Sequence, residues 1–204
     1  MAGGFAVVDD RAQGREPRRA DARRNKEALL RAAASVFVEA GVQAPIRDIA
    51  ARAGVGTATI YRHFPTRADL IVGVYRHQVE VLAEAGPALL AESATGYAAL
   101  ARWLEAFVDF VVTKQGLASV LQSDDPCFDP LHSYFLDRLV PVCTELVEAA
   151  SDELREDVRA YELMRGVGGL CASSGGPGAY DARKLVRFLV AGLRRAAPPA
   201  GDAA

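Results

Sequence analysis

Apolar residues recur at helical spacing along most of the chain. From about Asp21 they fall three and four residues apart and stop before Gly41, at Leu29, Ala33, Val36, Phe37 and Ala40. Further amphipathic stretches cover roughly 88–93, 97–113, 115–122, 130–150, 159–172 and 181–195. No stretch alternates between apolar and polar residues as a strand does. The pattern therefore predicts an all-α protein.

Two short helices follow the first one. Pro45 suits the first turn of a helix that ends at Gly54, and residues 57–64 predict another helix that Pro65 ends. Two short helices joined by a turn that contains glycine are typical of a helix-turn-helix. The sequence therefore predicts this motif over about residues 45–64.

A fourth helix begins with a clear signal. Thr66 and Asp69 have the spacing of a capping box, in which the first side chain accepts from the backbone of the second. We expect this helix to run to about Ala85, before Gly86 and Pro87, and to connect two domains.

The helix over residues 57–64 has one apolar side. Ile60 and Phe64 share that side at about 100° per residue, which turns the opposite side toward solvent. On the solvent side the Arg62 guanidinium can donate to a guanine edge, and the Tyr61 hydroxyl can donate to a phosphate oxygen. Two smaller residues on this side can approach bases or a thymine methyl group: Ala58 and Thr59.

The charge of the chain is unevenly distributed. The net charge of -2 combines +5 over residues 1–67, from 12 basic and 7 acidic residues, with -7 over residues 68–204, from 12 basic and 19 acidic residues. A basic N-terminal third followed by an acidic remainder indicates that the N-terminal part binds a polyanion. The charge alone does not distinguish DNA from RNA or a membrane.

A longer pattern connects these features. A first helix that ends at Gly41 is followed by R-D-I-A-A-R-A-G-V over residues 47–55, by T-I-Y-R-H-F over residues 59–64, and by Arg67. This combination resembles the TetR family of bacterial transcriptional regulators over about 60 residues. The resemblance implies a helix-turn-helix DNA-binding domain followed by a helical domain for effector binding and dimerisation.

The resemblance also implies which residues touch DNA. It places base or groove contacts at Arg47, Thr57, Ala58, Thr59, Arg62 and His63, and phosphate contacts at Tyr61 and Arg67. Gly56 departs from the family pattern, because many members have a serine there that caps the recognition helix. Glycine at this position costs only about a few tenths of a kcal/mol, so we expect the helix to form.

Two further sets of residues follow from the resemblance. The middle helices of the family enclose a small-molecule pocket, and ordinary core packing is the alternative for each candidate here: Trp103, Phe107, Phe110, Phe128 and Tyr134. The last two helices of the family form a four-helix bundle with the second subunit, and the alternative is glycine packing within one subunit. The candidates for that interface are Gly166, Gly168, Gly169, Leu185, Leu189 and Leu193.

These observations predict a domain order and a function. We expect a flexible basic arm over residues 1–21, a DNA-binding domain over 22–82, an effector-binding and dimerisation domain over 83–195, and a disordered tail over 196–204. The expected protein is a cytoplasmic homodimer that represses transcription from pseudo-palindromic, double-stranded operator DNA. An unidentified small-molecule effector would release it.

Two alternatives remain open at the level of sequence. One is a dimeric DNA-binding regulator without an effector, whose C-terminal domain only dimerises. The other is an enzyme that uses Cys127 with His132 or with the Asp124 and Asp125 pair, but no orienting third group or oxyanion signature accompanies Cys127 and His132. The three histidines and three cysteines lack metal-ligand spacing, so we expect no enzymatic activity, no metal and no cofactor. We also expect no membrane-spanning segment.

Overall fold

The described part of the chain is entirely helical. The computed structural model describes residues 15–116, 128, 130–155, 157–172 and 180–195. The helices in these ranges are α1 Arg15–Ala40, α2 Ile46–Ala53, α3 Thr57–His63, α4 Arg67–Glu92, α5 Gly96–Gly116, α6 Pro130–Ala149, α7 Ala160–Ala172 and α8 Ala182–Leu193. Within them, extended pairing is limited to one isolated antiparallel bridge between Leu154 and Arg194. The predicted all-α fold is confirmed.

Helices α1, α2 and α3 form the N-terminal unit around a shared core. Phe37 on α1, Ile49 on α2 and Ile60 on α3 are buried in one hydrophobic cluster. The turn between α2 and α3 depends on Gly54, which has a φ of 66° and donates its N–H to the Ala50 carbonyl. Only glycine adopts this left-handed conformation without a steric cost. The turn therefore holds α3 in place across α2.

Helix α1 begins at Arg15, earlier than the predicted start near Asp21. Residues 15–21 are therefore helical, where we expected part of a flexible arm. The physical reason lies in composition: Glu, Arg and Ala favour helix, and Pro17 falls in the first turn, where its missing N–H breaks no bond. Residues 1–14 and 196–204 lie outside the described residues, as does most of the helix predicted over 115–122.

Helix α4 continues past its predicted end at Ala85. It runs unbroken to Glu92 with Pro87 inside it, and the short helix predicted over 88–93 is its last turn. Gly86 explains the difference, because a Cβ atom there would lie 2.3 Å from Cγ1 of Val142 on α6. The close packing of α4 on α6 compensates for the hydrogen bond that Pro87 removes. The predicted domain boundary near residue 82 therefore falls within one continuous helix.

Helices α5 to α8 pack around an aromatic centre. Trp103 stacks on Phe107 with ring centroids 5.6 Å apart, and its indole Nε1 donates to the Leu82 carbonyl of α4 at 2.9 Å. The Tyr97 hydroxyl donates to the Val190 carbonyl at 3.1 Å and so ties α5 to α8. No helix among the described residues is both long and apolar enough to span a bilayer.

The turn between α2 and α3 allows a matched test of backbone geometry. Gly54→Ser should lower the free energy of unfolding by about 1–2 kcal/mol, because a side chain is disfavoured at positive φ. Gly56→Ser, two residues on, should raise it by about a few tenths of a kcal/mol, because Gly56 has ordinary dihedrals, open space around it and the N-cap position of α3. Urea unfolding of both variants checks the prediction, and equal effects would contradict it.

Candidate nucleic-acid interface

Helix α3 exposes a polar face to solvent, and buried apolar residues hold its other side against the protein. Ile60 is 1% exposed and Phe64 is buried just beyond the last turn, whereas Tyr61 is 52% exposed. The other outward residues of this face are Thr57, Ala58, Arg62 and His63, with Thr59 half-buried beside them. The structure therefore leaves the predicted α3 residues accessible to solvent. The helical spacing indicated this for Ala58, Tyr61 and Arg62, whereas Thr57 and His63 were predicted from the family resemblance alone.

Phe64 is the main attachment of α3 to the rest of the protein. Its N–H donates to the Ile60 carbonyl at 2.8 Å and ends the helix. Lys26 of α1 lies over its ring at 5.7 Å, and a Cβ at Gly73 of α4 would lie 2.6 Å from Cε1 of that ring. The ring is thus enclosed by α1 and α4, which fixes the direction in which α3 points.

An ion pair that the sequence analysis missed joins α2 to α1. Both terminal nitrogens of Arg52 donate to the two carboxylate oxygens of Glu39, at 2.8 and 2.6 Å. The pairing lowers the pKa of Glu39 and raises that of Arg52. Bidentate geometry fixes orientation better than a single contact does. The separation of 13 residues has no helical periodicity, so no local pattern could have indicated this pair.

Arg67 has a structural role beyond the expected phosphate contact. Its guanidinium donates to the carbonyl oxygens of Val42 and Ala44, at 2.5 and 2.9 Å, in the loop between α1 and α2. Thr66 and Asp69 beside it form the predicted capping box, which is confirmed by reciprocal bonds of 3.0 Å. Arg67 therefore joins the start of α4 to the entry of α2, and its phosphate contact stays a prediction.

Arg47 is the predicted DNA contact that lies on α2. Its side chain is highly exposed, and its guanidinium has a loose ion pair with the neighbouring Asp48 at 3.4 Å. Exposed pairs of this kind contribute little, so the guanidinium can exchange partners at small cost. Arg47 therefore remains available to an anionic ligand, and its DNA contact stays a prediction.

Three of the five predicted pocket aromatics, Trp103, Phe107 and Phe110, lie in a packed stack. Phe107 and Phe110 both stack on Phe135, with centroids 6.1 and 5.8 Å apart, and Phe110 also meets the edge of Tyr75. Phe135 and Tyr75 were not among the predicted pocket residues. Among the candidates, Trp103, Phe107, Phe110 and Phe128 are buried, and Tyr134 is half-buried.

Tyr134 takes part in a polar link between α4 and α6. Its hydroxyl donates to Oε1 of Glu80, and Arg138 donates to both oxygens of the same carboxylate at 2.8 and 2.5 Å. Arg138, more than Tyr134, holds the pKa of Glu80 below its usual value. The Tyr134 hydroxyl thus has a structural partner, and its role in a pocket stays a prediction.

The predicted interface residues lie on the outer side of α7 and α8. Gly166 and Gly169 are exposed, Gly168 is half-buried, and a Cβ at any of the three would meet nothing within 4 Å. Leu185, Leu189 and Leu193 are half-buried along α8. Two large apolar residues on the same helices were missed: Phe188 is 62% exposed and Tyr161 is 43% exposed. Phe188 lies three residues after Leu185, and Tyr161 lies seven residues before Gly168, so helical spacing could have indicated both.

Comparisons with known proteins agree with this geometry. A family model described as "Bacterial regulatory proteins, tetR family" matches residues 29–74, from the middle of α1 into α4. The TetR transcriptional regulator SCO0520 of Streptomyces coelicolor is 33% identical, with a TM-score of 0.72 over 84% of this chain and 99% of that one. The chain belongs to the TetR family.

Two further TetR-family relatives extend the comparison. The TetR transcription regulatory protein of Mycobacterium vanbaalenii is 29% identical, with a TM-score of 0.64 over 87% of this chain and 99% of that one. The HTH-type transcriptional activator FasR of Mycolicibacterium smegmatis is 34% identical over 117 residues, which are 56% of this chain and 52% of that protein. The matched part thus spans about half of FasR.

Membership of the TetR family decides between the broad classes of function. This chain is a DNA-binding transcriptional regulator, and its family consists of regulators, not enzymes. Of the residues in the enzymatic alternative, Asp124, Asp125 and Cys127 lie outside the described residues, and His132 is exposed and stacks on Phe135. The ranges that the structure describes contain no group of three His, Cys, Asp or Glu side chains placed to hold a metal ion.

Alanine substitutions at Arg67 and, as a control, at Arg47 test the structural role of Arg67. Arg67→Ala should lower the free energy of unfolding by about 1.5–3 kcal/mol, because it removes charge-assisted hydrogen bonds to two loop carbonyls. Arg47→Ala should change it by less than about 0.5 kcal/mol, because its side chain is exposed and loosely paired. Urea unfolding without DNA separates the two, and a stable Arg67→Ala variant would refute the structural role.

Proposed function

We propose that this TetR-family regulator binds a pseudo-palindromic operator as a homodimer, represses transcription there, and is released by a small-molecule effector. The observation that carries the DNA-binding part is the exposed polar face of α3 on its buried Ile60 and Phe64 anchor. This face has the size and chemistry that the major groove accepts. A helix of seven residues is about 10 Å long, and the groove is about 12 Å wide.

Each outward residue of α3 has a distinct proposed contact. Arg62 is exposed and can form a bidentate contact with a guanine edge. The side chains of Thr59 and Ala58 are short, so they can contact a thymine methyl group when the helix lies in the groove. The Tyr61 hydroxyl and the Arg67 guanidinium donate to phosphate oxygens, which position the helix without reading sequence. Three of the five guanidinium donors of Arg67 remain for phosphate after its two loop bonds.

Further contacts complete the proposed DNA-binding surface. Thr57 and His63 lie at the two ends of α3, and Arg47 lies on α2 beside it. The charge of +5 over residues 1–67 attracts the phosphate backbone, while the charge of -7 over the rest of the chain keeps DNA away from the second half. The DNA-binding domain proposed here covers residues 22–82, and the effector and dimerisation domain covers 83–195.

The outer side of α7 and α8 supports the proposed homodimer. The open space above Gly166, Gly168 and Gly169 would let a helix of a second subunit approach closely. Phe188 and Tyr161 are large side chains that are 62% and 43% exposed on these helices, and burying the remaining apolar surface of each would contribute about 1–2 kcal/mol. Two copies joined through this side would present two recognition helices, as operators with half-sites about 34–36 Å apart require.

A regulator without an effector is the second candidate. The stacking of Trp103, Phe107, Phe110 and Phe135 supports it, because a ligand between these rings would have to displace them. The sense of regulation is also open to test, since the relative FasR is named an activator. A promoter reporter that falls when the protein is supplied supports repression, and one that rises supports activation.

Selection of DNA fragments by the purified protein tests the proposed recognition. The recovered fragments should share a palindrome, and Arg62→Ala should relax the preference at one position of each half-site, with a loss of about 1–3 kcal/mol on the best sequence. Arg67→Ala should weaken all sequences alike and reduce the salt dependence of binding, because it removes a phosphate contact. Binding is measured by fluorescence anisotropy well below the unfolding temperature of each variant. Indistinguishable effects of the two substitutions would contradict these roles.

The dimer interface has its own test. Phe188→Glu should weaken self-association at least tenfold, about 1.4 kcal/mol, because it places a charge in an apolar contact. Val38→Glu, which changes an equally exposed apolar residue on α1, should leave self-association unchanged. Sedimentation velocity over a range of concentrations measures both. A Phe188→Glu variant that dimerises as well as the Val38→Glu control would rule out the α7 and α8 interface.

A further inference from the structure

Helix α1 extends well beyond the part of it that packs on the core. From Arg23 onward its first buried side chain is Leu29, and the side chains between them are exposed or half-buried. The helix begins at Arg15, which is about 21 Å before Leu29 at 1.5 Å per residue. Residues 23–28 therefore add nothing to the hydrophobic core, and two further helical turns precede them.

This end of α1 carries most of the positive charge of the N-terminal third. Residues 15–26, which we call the basic end of α1, have a net charge of +4 from six basic and two acidic residues. The whole stretch over residues 1–67 has a charge of +5. The charge that attracts a polyanion is thus concentrated on one helical segment, and little of it lies on the rest of the domain.

Five of the six basic residues share one face of α1. At about 100° per residue they fall within a sector of about 140°, and the two acidic residues, Glu16 and Asp21, lie outside it. The same sector, followed along the helix, contains the apolar residues Leu30, Ala33 and Phe37, which are buried in the core. One face of α1 therefore changes from basic to apolar where the helix reaches the core. The basic residues of this face are Arg15, Arg18, Arg19, Arg23 and Lys26.

The basic face begins beside the recognition helix. Nζ of Lys26 lies 5.7 Å from the centre of the Phe64 ring, and Phe64 directly follows the last residue of α3. The side chain of Arg23, about one turn earlier, is 79% exposed and has a loose ion pair with Glu27 at 3.5 Å. Exposed pairs of this kind contribute little, so the Arg23 guanidinium can exchange partners at small cost. From Lys26 the basic face continues for about 17 Å to Arg15.

The charge and the position of this face select its partner. Burying unpaired charges is strongly unfavourable, so an apolar partner cannot cover the face, whereas a polyanion can. Double-stranded DNA carries one negative charge per about 1.7 Å of its axis, so a stretch of 17 Å contains about ten phosphates. When α3 lies in the major groove, the backbone that borders the groove is the polyanion nearest to Phe64 and Lys26.

We propose that the basic end of α1 is a second DNA-contacting element, which binds the phosphate backbone beside the groove that α3 enters. Arg15, Arg19 and Arg23 donate to phosphate oxygens, and Lys26 completes the row next to α3. The element adds affinity for any duplex, because phosphate contacts carry no sequence information. The proposal rests on the proposed function, since α3 must enter a groove for α1 to lie along its border. It extends the DNA-binding region from residue 22 back to residue 15.

Two matched triple variants test the element. The α1 variant combines Arg15→Gln, Arg19→Gln and Arg23→Gln, because glutamine has nearly the helix propensity of arginine and no charge. The control variant makes the same change at three exposed arginines of the second half: Arg102→Gln, Arg155→Gln and Arg159→Gln. Both variants have the same net charge, so a difference between them reports local contacts and not total charge.

Fluorescence anisotropy on the full chain measures duplex affinity over a range of salt concentrations. The slope of log K against log salt should become shallower by about 2–3 in the α1 variant, as the loss of three phosphate contacts requires. At 0.1 M salt its affinity should fall at least tenfold, and equally for the selected operator and an unrelated duplex. The control variant should keep the slope and stay within about twofold in affinity.

A charge-preserving variant separates contact from folding. Arg15→Lys, Arg19→Lys and Arg23→Lys together should keep the salt slope, because an ammonium group also binds phosphate. A lysine variant as weak as the glutamine variant would overturn the proposal, and so would equal effects of the α1 and control variants. A loss confined to the operator would mean that α1 reads bases, which contradicts phosphate binding.

The remaining outcomes separate this proposal from its alternatives. Sedimentation velocity without DNA should show unchanged self-association of the α1 variant. A change there would assign the basic face to the acidic half of a second copy and overturn the proposal. A chain that selects a palindrome while the α1 variant keeps its salt slope would refute the α1 element alone. A chain that shows the expected slopes but selects no palindrome would refute the proposed operator recognition and leave the α1 element intact.

Discussion

The structure depends on α4 being one unbroken helix that both halves of the protein share. Its first turn is fixed by the Thr66 capping box and by Arg67, which reaches back to the loop before α2. Its last third packs on α6 so closely that Gly86 has no room for a side chain. Because α4 contacts α1 as well as α5 and α6, both halves of the protein pack against the same helix. The orientation of α3 is therefore tied to the packing of the second half.

The anchoring of α3 shows how a small helix can be exposed and yet rigid. Its seven residues could not form a stable helix alone, since isolated helices shorter than about 12 residues are marginal in water. Burial of Ile60 and enclosure of Phe64 by α1 and α4 supply the missing stability from tertiary contacts. The outward side chains are therefore not needed to hold the helix in place. This division leaves Arg62 and Tyr61 accessible to a groove while the backbone beneath them stays fixed.

Local signals predicted the N-terminal unit well, and tertiary contacts account for the differences. The turn at Gly54, the capping box and the apolar side of α3 all depend on residues within four positions of one another, so the sequence contains them. The length of α4 does not follow from local signals: Gly86 and Pro87 favour an end, and only the approach of Val142 from α6 explains why the helix continues. The Arg67 and Arg52 contacts span 13 to 25 residues and have no periodic signature. The buried atoms of His77 and Gln78 that lack a hydrogen-bond partner among the described residues could be recognised only from the structure.

The packing of the aromatic stack limits where an effector could bind at a small energetic cost. Opening space between Trp103, Phe107 and Phe110 would separate rings that are stacked and nearly fully buried, and voids in such a core are costly. An open groove of about 400 Å³ already exists between α1, α4 and α5, and its rim includes the exposed Val38 and Val81. A ligand in this groove would not have to open a cavity, so its binding free energy could go entirely toward favouring one of two arrangements of α1 and α5. Since a coupling of about 1–3 kcal/mol is enough to change operator affinity 5- to 150-fold, even a modest difference in fit at this junction would suffice.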